Sequence, residues 1–473
     1  MADGAPTINP HMFRAYDIRG FAEPYGTDLT PDVTRLIGQA WGTWLRRRGG
    51  SSMVVGGDLR PHTPALKTAF IEGALATGCD VTDIGDATSP LMYFATIARQ
   101  TSGGVNITAS HNPVEYNGIK MVEKNALPIA EEEISEVRDL AIAGDFEQGS
   151  GTLSSWDPRP SYYDKIAELT SLARPMKVVV DTGNGVAGLF VPEMLRRLGC
   201  EVVELYTDPD PTFPNHLPDP EKEENMLDLM KLVPEVGAEV GMAWDGDGDR
   251  LGVCDERGVR WEADFINILL ARDLLTRHPG ATILLDVKSS INTLEDLKAR
   301  GGNPQLGKTG HSFMKRRMKA DGIMLGGELS GHMFLGENYF PVDDALIAAG
   351  RVLSILSRSD KPLSKQFDEL PPLYATHLIQ LHCPDDQKFK VVATLRDQLA
   401  AKYPVIDIDG ARADFGDGWA LVRNSNTSPS LTVRCEARTP EGLARISKEM
   451  HDLLAAQPSV DMSDWPKDIA GGH

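Results

Sequence analysis

The sequence predicts an α/β protein built from three similar domains, followed by a fourth of α+β character. Three observations carry this expectation. An apolar strand that ends in a polar or glycine-bearing loop, followed by a helix and a second strand leaving a glycine-cysteine corner, occurs as MVVGGD with ATGCDVTDIG. It recurs as KVVVDTGNG with RLGCEVVELY, so that Cys79 and Cys200 stand 121 residues apart, and a looser third copy begins at TILLDVKSS. Strands alternating with helical patterns predict layered sheets with largely parallel pairing, and a period above about 100 residues reads as domain duplication rather than a solenoid. From about residue 371 the pattern changes to HLIQLHC, a helical KFKVVATLRDQLAAKY, two strand-like runs around RNSNTSPS and a helix in GLARISKEMHDLLAA. Boundaries are expected near 155, 258 and 370, giving domains 1–155, 156–258, 259–370 and 371–473.

Along the chain, the first well-marked helix starts where Thr30 can cap and Pro31 fits the first turn. Val33, Leu36, Ile37, Ala40, Trp41, Trp44 and Leu45 form one apolar stripe before Gly49 and Gly50 stop it. The Arg46–Arg48 run reads as a solvated cationic helix end, favoured there by the helix dipole. Next comes GGVNITA, a short buried strand that delivers Ser110 to a loop stiffened by Pro113. A serine at such an exit is well placed as a nucleophile, and equally well suited to turn or N-cap chemistry; the GxSxG elbow of the α/β-hydrolases is absent.

The string TGNGVAG places Gly183, Gly185 and Gly188 as GxGxxG after KVVVD, imitating a dinucleotide-binding loop. It also sits at the strand-to-helix corner of the second repeat, where glycines serve a tight turn and close packing. In WDGDGDR, Asp245, Asp247 and Asp249 alternate with glycines and can converge their oxygens on one hard divalent cation such as Mg²⁺. A calcium loop of the EF-hand type competes, because Glu256 is twelfth from Asp245. Against it, Arg250 holds the sixth position, where that loop needs glycine. GELSGH offers Glu328 and Ser330 as hydrogen-bonding partners for hydroxyl groups and His332 as a polar or proton-transfer group. RNSNTSPSLTVR combines small hydroxyl and amide side chains with Arg423 and Arg434, a composition that suits an anion and also a plain hairpin turn.

Taken in order, FRAYDIRG (13–20), TASHNP (108–113), DGDGDR (245–250), GELSGH (327–332) and RNSNTSPSLTVR (423–434) resemble the signatures of the α-D-phosphohexomutases, over nearly the whole chain. The resemblance implies three related α/β domains with mixed sheets and a smaller C-terminal domain like the TATA-binding-protein sheet, arranged around a central cleft. It further implies a Ser110 that carries a phosphoryl group, Mg²⁺ held by that phosphate with Asp245, Asp247 and Asp249, and hexose 1-phosphate converted reversibly to hexose 6-phosphate through a bound hexose 1,6-bisphosphate. By the same likeness, Lys120 and His311 are the acid/base candidates; Arg19, Arg250, Lys288 and His332 line the cleft; Tyr16 contacts sugar or phosphate; and Glu328 with Ser330 binds the sugar. Arg423, Ser425, Asn426 and Thr427 would grip the non-reacting phosphate, with Arg434 beside them. Two departures stand out. Leu329 replaces a methionine common in dual-specificity relatives, a volume-conserving change. Gly57 replaces the arginine of the usual GRDxR string, while Arg60 is kept, so altered support of the serine loop is expected without loss of catalysis. A phosphoglucosamine mutase and a catalytically silent phosphosugar-binding paralogue are the alternatives that stay open.

The remaining features set limits. With 48 basic against 68 acidic residues and a formal charge of −20, the chain is a poor partner for nucleic acid or an anionic membrane, so a phosphorylated substrate needs a local basic cleft. Five scattered cysteines without CxxC fit a reducing compartment, and neither a signal-peptide core nor a run of 18 apolar residues is present. A cytoplasmic location, and a monomer or dimer as in the family, are the expectations.

Overall fold

In the computed structural model, which describes residues 6–425 and 428–466, the three repeats share one topology. In the first, the parallel strands Asp80–Asp86, Ser52–Gly57 and Gly103–Ile107 lie side by side in that order, and Tyr116–Glu123 adds antiparallel to the last. The second repeats the order with Glu201–Leu205, Lys177–Asp181 and Val240–Trp244, closed by antiparallel Leu251–Asp255. The third does so with Asn303–Gly307, Thr282–Asp286 and Leu325–Gly327, closed by Met333–Leu335. The looseness of the third copy is thus confined to its sequence. In place of the glycine-cysteine corner it carries Gly301 and Gly302, while the strand order is unchanged. Pairing is parallel within each repeat until its final strand, which makes the sheets mixed.

The TGNGVAG corner consumes its own backbone donors. Gly183 N donates to Asp181 Oδ1 (2.8 Å), Asn184 N to Tyr206 O (2.7 Å) and Gly185 N to Thr182 O (2.8 Å), which leaves no amide cradle of the dinucleotide type.

The C-terminal unit is antiparallel, with Tyr374–Ala375, Ser430–Ala437, Gly418–Asn424, Ala411–Asp414 and Val405–Ile406 in sequence across the sheet and Ile379–His382 also on Ser430–Ala437. Strand alternation divides its side chains between two surfaces. Val433 and Cys435 face the helices Asp385–Ala400 and Pro440–Ala455, whereas Trp419 and Leu421 pack on Val287 and Ile291 of the third repeat. Among the described residues no helix is long and apolar enough to cross a membrane, and all five cysteines are buried and free.

Apart from Leu36, which is only partly buried, the stripe read from the sequence is the inner face of helix Pro31–Arg47. Thr30 Oγ1 accepts from Val33 N (3.2 Å), and Trp41 and Trp44 stack at 5.0 Å within a buried cluster. Its arginines are engaged as well as solvated: Arg47 pairs with Asp145 and Glu147, and Arg48 with Glu136. Because Trp41 is fully buried, Trp41→Ala is expected to cost about 3–5 kcal/mol, measured as a lowered urea midpoint; an unchanged midpoint would contradict this packing.

Candidate active site

Three of the predicted loops occupy one topological position, the hairpin between the last parallel strand of a repeat and its antiparallel partner. Ser110 lies between Gly103–Ile107 and Tyr116–Glu123, the aspartate triplet between Val240–Trp244 and Leu251–Asp255, and Glu328 to His332 between Leu325–Gly327 and Met333–Leu335. Duplication therefore accounts for three loops of different chemistry meeting at one place. The contact is intimate. Gly246 lies against the Ser110 carbonyl so closely that a Cβ there would sit 2.1 Å from that oxygen, and Leu251 N donates to Gly331 O (3.1 Å), where Arg250 and His332 form a β-bridge.

Ser110 is held in the left-handed region (φ 52°), an unusual conformation for a residue with a side chain. What sustains it is the buried Arg60, whose guanidinium donates to the carbonyls of Ser110 (2.8 Å), Asn112 (2.6 Å), Pro113 (2.6 Å) and Tyr116 (3.1 Å) while pairing with Asp58 (3.1 Å). Asp58 also accepts from the Thr108 hydroxyl (2.7 Å), and Thr108 Oγ1 in turn accepts from Ser110 N (2.9 Å). With this support the buried Ser110 hydroxyl donates to Asp245 Oδ2 at 2.6 Å, and His111 Nδ1 lies 3.1 Å away.

Asp245, Asp247 and Asp249 are fully buried, with a carboxylate oxygen of each within 4.8 Å of the others. Asp249 N and Arg250 N donate to Asp245 Oδ1 (3.0 and 3.1 Å), and the Ser89 hydroxyl donates to Asp247 Oδ2. Lys120 Nζ reaches Asp249 Oδ2 (2.5 Å) and Asp247 Oδ2 (2.6 Å). Burial alone would lower the Lys120 pKa, but the attraction of Asp247 and Asp249 outweighs it and raises it. Asp247 is held below the usual carboxylate range: burial pushes it up, and Lys120, the Ser89 hydroxyl and Arg19 together more than offset this. Asp245 is pushed well up, by burial first and then by Asp249 and Asp247. Asp247 Oδ1 and Asp249 Oδ1 are buried with no hydrogen-bond partner among the described residues. Buried lone pairs without donors on an all-oxygen triplet fit a hard divalent cation.

Around the triplet stand the remaining candidates. Arg250 Nε donates to His332 Nε2 (3.1 Å) and its NH1 to Glu221 (3.2 Å). With Nε2 accepting, the His332 proton belongs on Nδ1, which faces Asp343 Oδ2 at 3.0 Å and Asp249 Oδ1 at 3.6 Å. His311 stacks on His332 at 5.4 Å and meets the edge of Tyr16 at 4.7 Å; burial first, then Lys315, keeps its pKa well below the ordinary value. Glu328 Oε1 accepts from Gly310 N (2.6 Å), Ser330 is buried beside it, and Lys288 lies 3.3 Å from Asp286. Arg19 is bound to Asp17 (2.9 Å) and to Thr108 O (2.6 Å). The Tyr16 hydroxyl is raised by burial, then by Asp17 and Glu328, against Arg250 and Arg423, so charges from all four domains act on one ring.

In the C-terminal domain, Arg423 Nε donates to Asp409 Oδ2 (2.8 Å). Ser425 N donates to Ser430 O (2.9 Å), its hydroxyl meets Ser428 Oγ (2.7 Å), and the buried Lys388 donates to the carbonyls of Ser425 (2.7 Å) and Ser428 (3.0 Å). Asn426 and Thr427 lie outside the described residues. Arg434 is a correction. It pairs across the sheet with Leu421, four residues along the strand from Ser430, and its guanidinium is bound to Glu262 (2.9 Å) at the junction with the third domain, not to the loop. Strand alternation sends its side chain to the interface surface.

Sequence reasoning missed Asp343, Lys315, Ser89, Glu221 and Asp409. Asp343 joins His332 to Lys315 (2.7 Å), yet the string DDALIAA signals only the N-cap that Asp344 provides. Ser89 likewise looks like ordinary first-turn chemistry after the Thr88 cap.

Models of the four phosphoglucomutase/phosphomannomutase domains match the chain in order: alpha/beta/alpha domain I at residues 10–148, domain II at 160–258, domain III at 262–374 and the C-terminal domain at 378–453. A phosphomannomutase/phosphoglucomutase of Pseudomonas aeruginosa is 40% identical over 456 residues, covering 96% of this chain and 98% of that protein. A phosphoglucomutase of Neisseria meningitidis serogroup A is 39% identical over 466 residues, with coverage of 96% and 98%. Among solved structures, a phosphoglucomutase/phosphomannomutase family protein of Burkholderia thailandensis superposes with a TM-score of 0.89 at 38% identity, covering 96% of this chain and 99% of that one. The fold, the shared hairpin loops and these matches lead to one conclusion: the chain belongs to the phosphoglucomutase/phosphomannomutase family.

Proposed function

We propose that this protein is a phosphohexomutase, an intramolecular phosphotransferase that interconverts hexose 1-phosphate and hexose 6-phosphate of mannose, glucose or both. The observation that carries the reading is the Ser110 hydroxyl donating at 2.6 Å to one of three buried, alternating carboxylates. Ser110 is the phosphoryl carrier. Asp245, Asp247 and Asp249 would hold Mg²⁺, which when bound neutralises charge on the transferring group. In the first half-cycle a sugar hydroxyl oxygen loses its proton to an acid/base group and bonds to the phosphorus while the Ser110 Oγ–P bond breaks, giving a bound 1,6-bisphosphate. This turns around, and in the second half Ser110 Oγ bonds to its other phosphorus while that sugar O–P bond breaks and the sugar oxygen regains a proton. Lys120 and His311 are assigned to proton transfer at the sugar hydroxyl. Arg19, Arg250, Lys288, His332 and Tyr16 line the cleft, and Glu328 with Ser330 orients adjacent hydroxyls in both substrate poses. Arg423 with Ser425, Asn426 and Thr427 grips the phosphate that is not reacting. Phosphoryl transfer demands little covalent work from a protein, so positioning and charge compensation supply most of the rate.

We assign the domains to 1–155, 156–258, 259–370 and 371–473, and the enzyme to the cytoplasm, where five unpaired thiols are stable.

Mannose and glucose 1-phosphates are expected to turn over at comparable rates with Mg²⁺ and a trace of glucose 1,6-bisphosphate, and Ser110→Ala to lose on the order of a thousandfold or more in kcat. Preference for glucosamine 1-phosphate would reassign the substrate, and full activity of the variant would refute the phosphoserine route. A chelator should abolish turnover, and added Mg²⁺ restore it. Since Arg60 binds four carbonyls of the serine loop, Arg60→Met is expected to speed hydrogen exchange across residues 110–116 and lower kcat by about tenfold or more. Unaltered exchange would remove Arg60 from that role.

A further inference from the structure

One carboxylate of the C-terminal domain touches both the arginine of the anion loop and the backbone that leads to His311. Asp409 Oδ2 accepts from Arg423 Nε (2.8 Å) and from Thr309 N (3.0 Å), with its side chain 9% exposed. The next amide, Gly310 N, donates to Glu328 Oε1 (2.6 Å), and His311 begins the helix that follows. Two successive amides are thus fixed by carboxylates from different domains immediately before His311. On the other side, Asp409 takes the Nε edge of Arg423 and leaves its buried NH2 without a partner among the described residues. Gly410 makes the placement possible. It adopts a positive φ of 84°, and a Cβ there would lie 2.2 Å from Val422 O and 2.7 Å from the Arg423 Cα, so the turn presses Asp409 against Arg423.

The strand that follows, Ala411–Asp414, makes a second attachment. Arg412, stacked on Trp419 at 3.6 Å, donates through NH1 to the carbonyls of Val287 (2.6 Å) and Ser289 (2.7 Å), on either side of Lys288.

We propose that Asp409 is a positioning residue that couples the anion clamp of the fourth domain to the His311 loop of the third. The proposal rests on the reading of Arg423 as a phosphate clamp. Phosphate captured by Arg423 draws on a guanidinium whose Nε edge is already fixed, and Asp409 passes that constraint to Thr309. An arginine held by a charged hydrogen bond on one edge presents the other in a defined direction, so little freedom is lost when an anion binds.

Inorganic phosphate is the probe, because it can occupy the clamp without touching the sugar loop. Adding it to the wild-type protein should slow hydrogen exchange at Thr309 to His311, and the effect should vanish in Arg423→Ala. In Asp409→Asn, phosphate should bind about tenfold more weakly by calorimetry and no longer protect those amides. Arg423→Lys should then cost far less in the Asp409→Asn background than in the wild type, the signature of coupled residues. Wild-type exchange that ignores phosphate overturns the proposal even if Asp409→Asn does not fold, and so do additive losses in the cycle. Absent mutase turnover with phosphate protection intact would instead refute the enzymatic reading alone.

Discussion

Three carboxylates buried together dominate this structure, because they must either be neutralised or not be buried. Two like charges about 4 Å apart repel by about 4 kcal/mol even at the effective dielectric of a protein surface, and Asp245, Asp247 and Asp249 are entirely shielded from water. The surroundings answer that repulsion. Lys120 comes from the first domain to two of the three, the Ser89 hydroxyl and the Ser110 hydroxyl each donate to one, and backbone amides of the triplet loop supply two more bonds. These contacts tie the first domain to the second through the loop that would hold the cation. The serine read as the phosphoryl carrier is therefore also a structural partner of the aspartate triplet.

Duplication explains how one cleft acquires parts from separate domains. Each repeat ends in the same antiparallel hairpin, and the three hairpins face one another, so each could specialise without altering its own sheet. The first became a serine held in a strained turn, the second a carboxylate cradle and the third a loop of buried hydrogen-bonding side chains, Glu328, Ser330 and His332. Strain at Ser110 is sustained from outside the loop by Arg60, whose donors satisfy carbonyls that the turn leaves unpaired. A fourth domain of different topology closes the ring through Asp409 and Arg412, which reach two loops of the third.

Much of this was legible in the sequence for a physical reason. Apolar runs that end in glycine corners mark repeats, and strings such as DGDGDR or TASHNP gather their chemistry within a few residues. Contacts that depend on strand parity or on residues far apart in the chain were not legible. Arg434 reads as an anion ligand because it follows RNSNTSPS, yet the pleat turns it to the domain junction and Glu262. Asp343 stands beside His332 only because a loop returns before helix Ala345–Ser357, and Asp409 meets Arg423 through a hairpin whose turn residue is Gly410. The Ser89 contact with Asp247 spans 158 residues and two domains, and no local pattern announces it.

The central claim is that Ser110 carries the phosphoryl group within this carboxylate cradle. Its most direct test is mass spectrometry of the purified protein after incubation with glucose 1,6-bisphosphate and Mg²⁺. The account predicts a gain of one phosphoryl group, located on Ser110 by peptide fragmentation and removed when hexose 6-phosphate is added. A protein that stays unmodified, or that carries the group on another residue, would contradict it.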